Sequence, residues 1–593
     1  MITKLLSLSN LDVYNQWVRL QVYPEGARRL GHILETYIEP VWLIKAREWI
    51  FSQEWFWLVI LFVGWRFGSQ IKFKAREKVG WLKKLFWPIV ALLIFSWKLA
   101  SVPPAIYVDE AVTGYSAYSV LMTGKDEYGK TVPILFKYFG SWLPGLNMYY
   151  LVPWIKVFGL TEWGVRIPAV LLGVWLILVF YAVVKLKTKS EKAAFWGAGF
   201  LIVVPWMVFN ARLAYEEMIG MILWTAGCGL LGRSVVKKEY LKWGILALSL
   251  STYTAHVFRY LTVIIIPVWA VIHVKEVWNW PKKVWWQAAG IFFSTQLFNL
   301  MVINTPAFWV KQVIYEGVSL LKIWQNFWGQ ITTYLSPVTL FVKNPDIDMQ
   351  HQIPQSGLFS WWMVWPISAG LWGWITKWRE NKWWLAIMIV SIVPAALSGE
   401  FISVQRALPL LIPLSMVMAE GLSSVRKPIL IGLWLYSAIL VGRSYFVLLP
   451  GINQEAWNFG YKQLAEETVK YPQTTFIVDN GRNTRNYILP LFYLAYSPTK
   501  LQTEVETNTL SNYYFSGKTF DDHKYGNMEF RAIEWKADPC KDQILVGDEL
   551  SISKNQAMEH KLTLAGEVRN KQGKLLLQWW KTNPKEKCSK MLL

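Results

Sequence analysis

The sequence predicts an α-helical polytopic membrane protein, with about eleven or twelve transmembrane helices and a small C-terminal α/β domain outside the membrane. Three observations carry that expectation. The 593 residues are 54% hydrophobic, and the apolar ones gather in long runs with few charges, such as Ile167–Val184, Ala193–Ala211, Val284–Val310 and Trp383–Gly399. Runs of this kind cross a hydrocarbon core. Every second loop between them is basic, and the stretch from Pro450 onward is too polar to span. Trp and Tyr crowd the ends of the runs, where the water–lipid interface favours amphipathic rings.

The elements follow from the charges. The segment Lys72–Lys84 holds six Lys/Arg and one acid, which assigns it to the cytoplasm. Residues 1–84 read as a cytoplasmic or interfacial region. Its short apolar stretch at 51–67 either lies in the interface or crosses at a tilt. A helix at 85–101 then exits and leaves 102–161 outside. Further spans are expected at about 162–185, 193–209, 215–233, 240–256, 258–274, 285–304, 358–376, 383–399, 404–421 and 428–448. The expected inside loops carry Lys185/Lys187/Lys189/Lys192, Lys237/Lys238/Lys242, Lys282/Lys283, Lys377/Arg379/Lys382 and Arg426/Lys427. The transmembrane domain is thus 85–449, with outer loops 102–161 and 304–357, and 450–593 is an outer α/β domain. The first outer loop contains an aromatic, membrane-lying helix near Leu143–Phe158. In the tail, Thr475–Val478 is strand-like and Tyr487–Tyr496 suits helix or strand. Leu562–Val568 and Lys574–Trp580 make a hairpin around Asn570–Gly573.

The formal charge of +21 fits basic cytoplasmic loops facing anionic headgroups better than nucleic acid. There is no P-loop and no zinc-like Cys/His spacing, and Met1–Trp49 lacks the pattern of a cleavable signal peptide. Cys228 sits in an apolar run as a small packing residue. Cys540 and Cys588 are the tail's two cysteines, and outside the cytoplasm such a pair is expected to form a disulfide.

Carboxylates at a membrane surface are costly and tend to be functional, which singles out Asp109-Glu110. The bland alternative is two solvated loop acids. Glu216, in Asn210-Ala211-Arg212-Leu213-Ala214-Tyr215-Glu216-Glu217, is either a second functional acid or an ion-pair partner of Arg212. Arginines mark the outer helix ends at 166, 212, 259, 406 and 443, whereas the inner loops are mostly Lys. A guanidinium fork suits bidentate phosphate binding. Snorkelling toward headgroups is the alternative, assigned to Arg443 and Arg166. His256 accompanies Arg259 or is a satisfied polar group. Asp348 and His351 are weak metal candidates, so no metal is expected.

The order of these features resembles the GT-C superfamily of polytopic glycosyltransferases, in the branch of the protein O-mannosyltransferases and aminoarabinose transferases. It comprises Asp109-Glu110, Gly124-Lys125-Asp126-Glu127-Tyr128-Gly129, Pro144-Gly145, Phe158-Gly159-Leu160-Thr161 and Val165-Arg166-Ile167-Pro168. The resemblance implies a GT-C-type bundle in which Asp109 is the general base, with Glu110 and Glu216 as further acids. Arg406, Arg259, Arg212 and His256 would hold the donor phosphate, and Tyr138 and His351 would belong to the loops around the acceptor cavity. It implies an integral protein of a prokaryotic plasma membrane, with an extracytoplasmic active site. The activity implied is inverting transfer of a sugar from a polyprenyl-phosphate donor to a hydroxyl of a protein, glycan or lipid acceptor. The chain departs from the aminoarabinose transferases in having no Asp or Glu between Tyr128 and Leu160, which speaks against a metal site like theirs and against their particular donor. A flippase of lipid-linked saccharides is the alternative from another class, and a non-catalytic membrane scaffold with a sensing tail is a third. Internal repeats, common in transporters, are not evident.

Overall fold

The apolar runs become helices, and what separates them is capping chemistry. The computed structural model describes residues 81–588 except 311–317, 345–350, 399–402, 453, 482–483, 505–509, 511 and 517–522. The expectations for 1–80, including the stretch at 51–67, lie outside the described residues, as does Asp348. Helix α1 (Trp81–Ser96) leads to α2 (Val108–Thr123), which opens with Asp109 and Glu110 in its first turn. A two-stranded hairpin, β1 (Leu135–Tyr138) and β2 (Ser141–Pro144), precedes α3 (Leu146–Phe158). Thr161 caps α4 (Glu162–Thr188) by accepting from the Gly164 N–H, and Ser190 caps α5 (Glu191–Ile202) in the same way. Then come α6 (Pro205–Asn210), α7 (Glu217–Ser234), α8 (Tyr240–Ser251), α9 (His256–Ile272) and α10 (Lys282–Val302). The segment after α10 contributes α11 (Leu320–Tyr334), followed by α12 (Val364–Thr376), α13 (Trp378–Ala396), α14 (Leu411–Gly421) and α15 (Lys427–Val441).

Among the described residues, two helical stretches are long and apolar enough to cross a membrane, Glu162–Thr188 and Lys427–Ile452. The others are shorter. Their packing is close: a side chain at Gly370 of α12 would meet the Val417 carbonyl, and one at Gly421 of α14 would meet the Pro366 carbonyl, each at 2.0 Å. Large apolar side chains stay exposed on outward faces, among them Leu93, Trp175, Val263, Val271, Phe293 and Ile389.

The tail follows with α16 (Tyr461–Lys470), β3 (Thr475–Val478), α17 (Ile488–Tyr493), β4 (His523–Tyr525), β5 (Met528–Phe530), β6 (Gln543–Gly547), β7 (Thr563–Arg569) and β8 (Leu575–Lys581). They make one mixed sheet in the order β4-β5-β3-β6-β8-β7, with β3 parallel to both β5 and β6. Cys540 and Cys588 are disulfide-bonded, with Cα atoms 5.7 Å apart.

Two of the apolar cores among the described residues position the site. One lies among the helices of the bundle. The other joins α2 to the tail: Ala111, Val112 and Tyr115 pack with Ile488, Leu491 and Phe492. Gly114 makes the close approach possible, since a Cβ there would lie 2.5 Å from Val165 and 3.0 Å from Phe492.

Candidate active site

The N-terminal ends of α2, α7 and α9 converge on a cavity of about 850 Å³. Tyr107 and Asp109 come from α2 and its cap, Tyr215, Glu216 and Glu217 from α7 and its entry, and His256 from the first turn of α9. Helix N-termini favour negative charge, so three of them suit a site built around carboxylates. Arg406 faces the same space from the loop before α14, beside Gln405. His351 reaches in from the segment between α11 and α12, with its ring 6.0 Å from that of Tyr215. One wall is apolar, lined by Ile264 of α9, Ile323 of α11, and Val393, Pro394 and Leu397 at the end of α13.

The β1–β2 hairpin closes another side. Tyr138 pairs with Ser141, so Phe139-Gly140 is a two-residue turn with both residues at positive φ, 43° and 80°. That geometry matches the twist of the strands but favours Asn or Gly over Phe at its first position. Tyr138 is half-buried in the wall and bonded to the Asp109 carboxylate, and desolvation first, then the charge of Asp109, hold its phenol well above the usual range. It therefore stays protonated and donates to Asp109. His256 Nε2 lies 2.7 Å from the Trp142 carbonyl, which fixes the proton on Nε2 and makes Nδ1 an acceptor.

Six of the residues singled out from the sequence line this cavity: Asp109, Tyr138, Glu216, His256, His351 and Arg406. Glu110, expected beside the chemistry, does not. Consecutive residues of a helix point about 100° apart. With Asp109 toward the cavity, Glu110 turns inward and is fully buried against Arg166. Its carboxylate also accepts from the Tyr107 N–H, closing the first turn of α2. Arg212, expected at the donor phosphate, is fully buried and binds the carbonyls of Ile94, Phe95 and Val102. It closes the C-terminal end of α1 and lies over the rings of Tyr445 and Phe446. Arg259 does not line the cavity either. It sits 4.0 Å from the Phe308 ring centre and donates to the Phe308 carbonyl, while its Nε and Nη2 are buried with no partner among the described residues. Neither Arg166 nor Arg443 snorkels. Both are buried in protein, and Arg443 donates to Gln355.

Arg485 is the lining residue that sequence reasoning missed. It follows β3 in the tail and lies over Phe139, 5.6 Å from the ring centre. The only signal was a polar loop, Asn480-Gly481-Arg482-Asn483-Thr484-Arg485-Asn486, after a strand. Beside the cavity the loop and tail also share a buried polar cluster. Asp126 accepts from Tyr513 and from the Tyr128 and Lys130 N–H groups, Glu127 accepts from Tyr487, and Lys137 lies 5.3 Å from the Tyr128 ring centre.

A helical bundle with an acid at the start of α2 and a sheet-containing tail is a fold that this chain shares with a solved structure. One similar solved structure is ArnT from Cupriavidus metallidurans bound to undecaprenyl phosphate. It aligns over 85% of this chain and 98% of ArnT, with a TM-score of 0.55 and 13% identity. The same protein in the apo state aligns at a TM-score of 0.41, with 15% identity, over 84% and 97% of the two chains. Arabinofuranosyltransferase AftD from Mycobacteria aligns at 0.36, with 12% identity, over 69% and 30%. The fold assignment rests on the first of these. No protein-family model matches the chain, and no curated protein matches it.

Proposed function

We propose that the chain is an integral membrane glycosyltransferase that moves a sugar from a polyprenyl-phosphate donor to an acceptor hydroxyl, with inversion, on the extracytoplasmic face. The observation that carries this is one cavity lined by Asp109, Glu216 and Arg406 together with apolar side chains from α9, α11 and α13. The apolar wall suits an isoprenoid chain, and Arg406 suits its phosphate. The exposed apolar faces of α1, α4, α9, α10 and α13 suit contact with lipid.

The chemistry needs few groups. Asp109 takes the proton from the acceptor hydroxyl as that oxygen attacks the anomeric carbon opposite the phosphate. The anomeric C–O bond breaks, and its electron pair leaves with the phosphate, a stable anion that needs no protonation. Arg406 neutralises the charge growing on it. Tyr138 orients Asp109 through the bond it donates. Glu216 lies close enough to the cavity to bind a sugar hydroxyl. Arg259, one residue from the lining Tyr260, has two buried nitrogens, Nε and Nη2, to offer a phosphate oxygen or an ordered water.

Purified protein incubated with radiolabelled polyprenyl-phosphate sugars and envelope extract should consume donor and label acceptor. Donor that is moved across a vesicle membrane without being consumed would replace this reading with a flippase. A reporter active only outside the cytoplasm, fused after Leu593, should be active.

A further inference from the structure

The entry to α7 carries two polar side chains that the transfer chemistry does not use. That entry is pinned to α1 and α2. Arg212 holds the carbonyls of Ile94, Phe95 and Val102, and the Ala214 N–H donates to Glu110 at 3.4 Å. Just beyond the pinned residues, Tyr215 and Glu217 line the cavity. Both are buried, with 6% and 8% of their surface exposed. The Tyr215 hydroxyl and Glu217 Oε2 have no hydrogen-bond partner among the described residues. A buried polar group in this state is costly, and a ligand that supplies the partner removes the cost.

Their surroundings narrow the ligand. The charges of Asp109 and Arg406 both reach Glu217, and those of Asp109 and Glu217 reach Tyr215. In the transfer reading, the anomeric carbon is bonded to the phosphate that Arg406 meets and is attacked by the oxygen that Asp109 deprotonates. The sugar ring therefore lies between Asp109 and Arg406, beside Glu217. A carboxylate oxygen accepts from one ring hydroxyl, and a phenol donates to the next. A sugar with a carboxylate of its own would be repelled by Asp109, Glu216 and Glu217 in the same cavity. An ammonium sugar would bring a second cation beside Arg406.

We infer that Tyr215 and Glu217 form the donor-sugar subsite and read adjacent hydroxyls of a neutral sugar. This rests on the glycosyl-transfer reading and adds the chemical class of the sugar that is moved. The pair holds neither the phosphate nor the isoprenoid chain, so the lipid alone gains nothing from it.

The full-length protein in detergent is titrated with polyprenyl phosphate, and with polyprenyl phosphates carrying glucose, mannose, galactose, arabinose, glucuronate or glucosamine. The parent should bind a neutral-sugar lipid more tightly than the sugar-free lipid, the uronate or the amino sugar. Glu217→Gln should weaken that neutral donor about tenfold and Tyr215→Phe about fivefold, each through one hydrogen bond. Both variants should bind the sugar-free lipid like the parent, which also shows that they are folded. An equal loss for the sugar-free lipid, or no loss for the neutral donor, overturns the subsite. So does a parent that binds the uronate or the amino sugar best, or that binds no sugar lipid better than the sugar-free one. Should Glu217→Gln not fold, Tyr215→Phe makes the same comparison by removing a single oxygen. If the neutral donor binds in this pattern but labels nothing in envelope extract, the transferase reading fails and the subsite stands.

Discussion

Arg166 grips Glu110 with both arms of its guanidinium, Nε to Oε1 at 3.0 Å and Nη2 to Oε2 at 2.8 Å, and neither side chain reaches solvent. The same Arg166 donates to the carbonyls of Leu99 and Ala105, so the loop entering α2 and the start of α4 are tied through one cation. Asp109 is the neighbour of the residue held. The pair therefore sets where the base points. Glu110→Ala leaves Arg166 buried and uncompensated, which typically costs about 3–5 kcal/mol. Thermal inactivation should move to markedly lower temperature, and turnover should fall even where folded protein is recovered.

Asp109→Asn keeps the shape of the side chain and its bond to Tyr138 but removes the base. Turnover should drop by roughly 10²–10⁴-fold, with donor affinity retained. Single-turnover assays with labelled donor measure both. Near-parental turnover in folded Asp109→Asn protein would move the base to Glu216.

Arg406 distinguishes a phosphate ligand from a headgroup anchor. A bidentate ligand needs the guanidinium fork, so Arg406→Lys should weaken donor binding and Arg406→Ala should weaken it more, by about 2–5 kcal/mol. Titration with donor lipid in detergent reads both. Parental affinity in both variants would send the phosphate to Arg259.

The buried acids of the first loop make the joint with the tail pH-sensitive. Burial pushes Asp126 up to about 6 and, with the charge of Asp126 adding to it, pushes Glu127 up to about 8. Lys137, Tyr128, Tyr487 and Tyr513 face them, and Lys137 is itself lowered by burial. Both acids hold protons more tightly folded than unfolded. The joint is therefore most stable below the ordinary carboxylate range and loses stability as pH rises through about 6 and then about 8. Hydrogen exchange across residues 124–138 should quicken over that interval. Glu127→Gln should flatten the upper part of the curve, and an unchanged profile would show that the two acids do not set it.

Cys540 and Cys588 close a loop of 48 residues. In the chain-entropy model that stabilises the tail by about 4 kcal/mol. Dithiothreitol should lower the unfolding midpoint of the tail, and Cys540→Ser should do the same without reductant. An identical midpoint with and without reductant would mean that the loop is held by other contacts.

Much of the helix pattern was legible because it depends on local quantities: apolar run length, charge and capping residues. The hairpin of β7 and β8 was legible from Asn570–Gly573 in the same way. Asp109 and Arg406 could be chosen because ionisable groups at a membrane surface are few. The family resemblance put Asp109 ahead of Glu110, but that Glu110 turns away from the cavity was not readable from sequence, since it depends on which face of α2 meets Arg166, 56 residues away from Glu110. Arg212 and Arg259 misled for a related reason. An arginine at a helix end looks the same whether it meets a ligand or the carbonyls of another segment. Arg485 was hidden because nothing local says that the tail folds back over the first loop.

That folding back has a consequence for how such a protein can change. Helix α2 shares its apolar core with the tail, through Tyr115, Ile488 and Phe492, and the Tyr115 hydroxyl reaches the Tyr496 carbonyl at 3.0 Å. The tail is then no detachable accessory. A chimera that grafts a foreign tail onto this bundle would inherit a base-bearing helix with half its footing missing. The seam for exchanging parts runs below α2, and the tail must travel with the helix that carries Asp109.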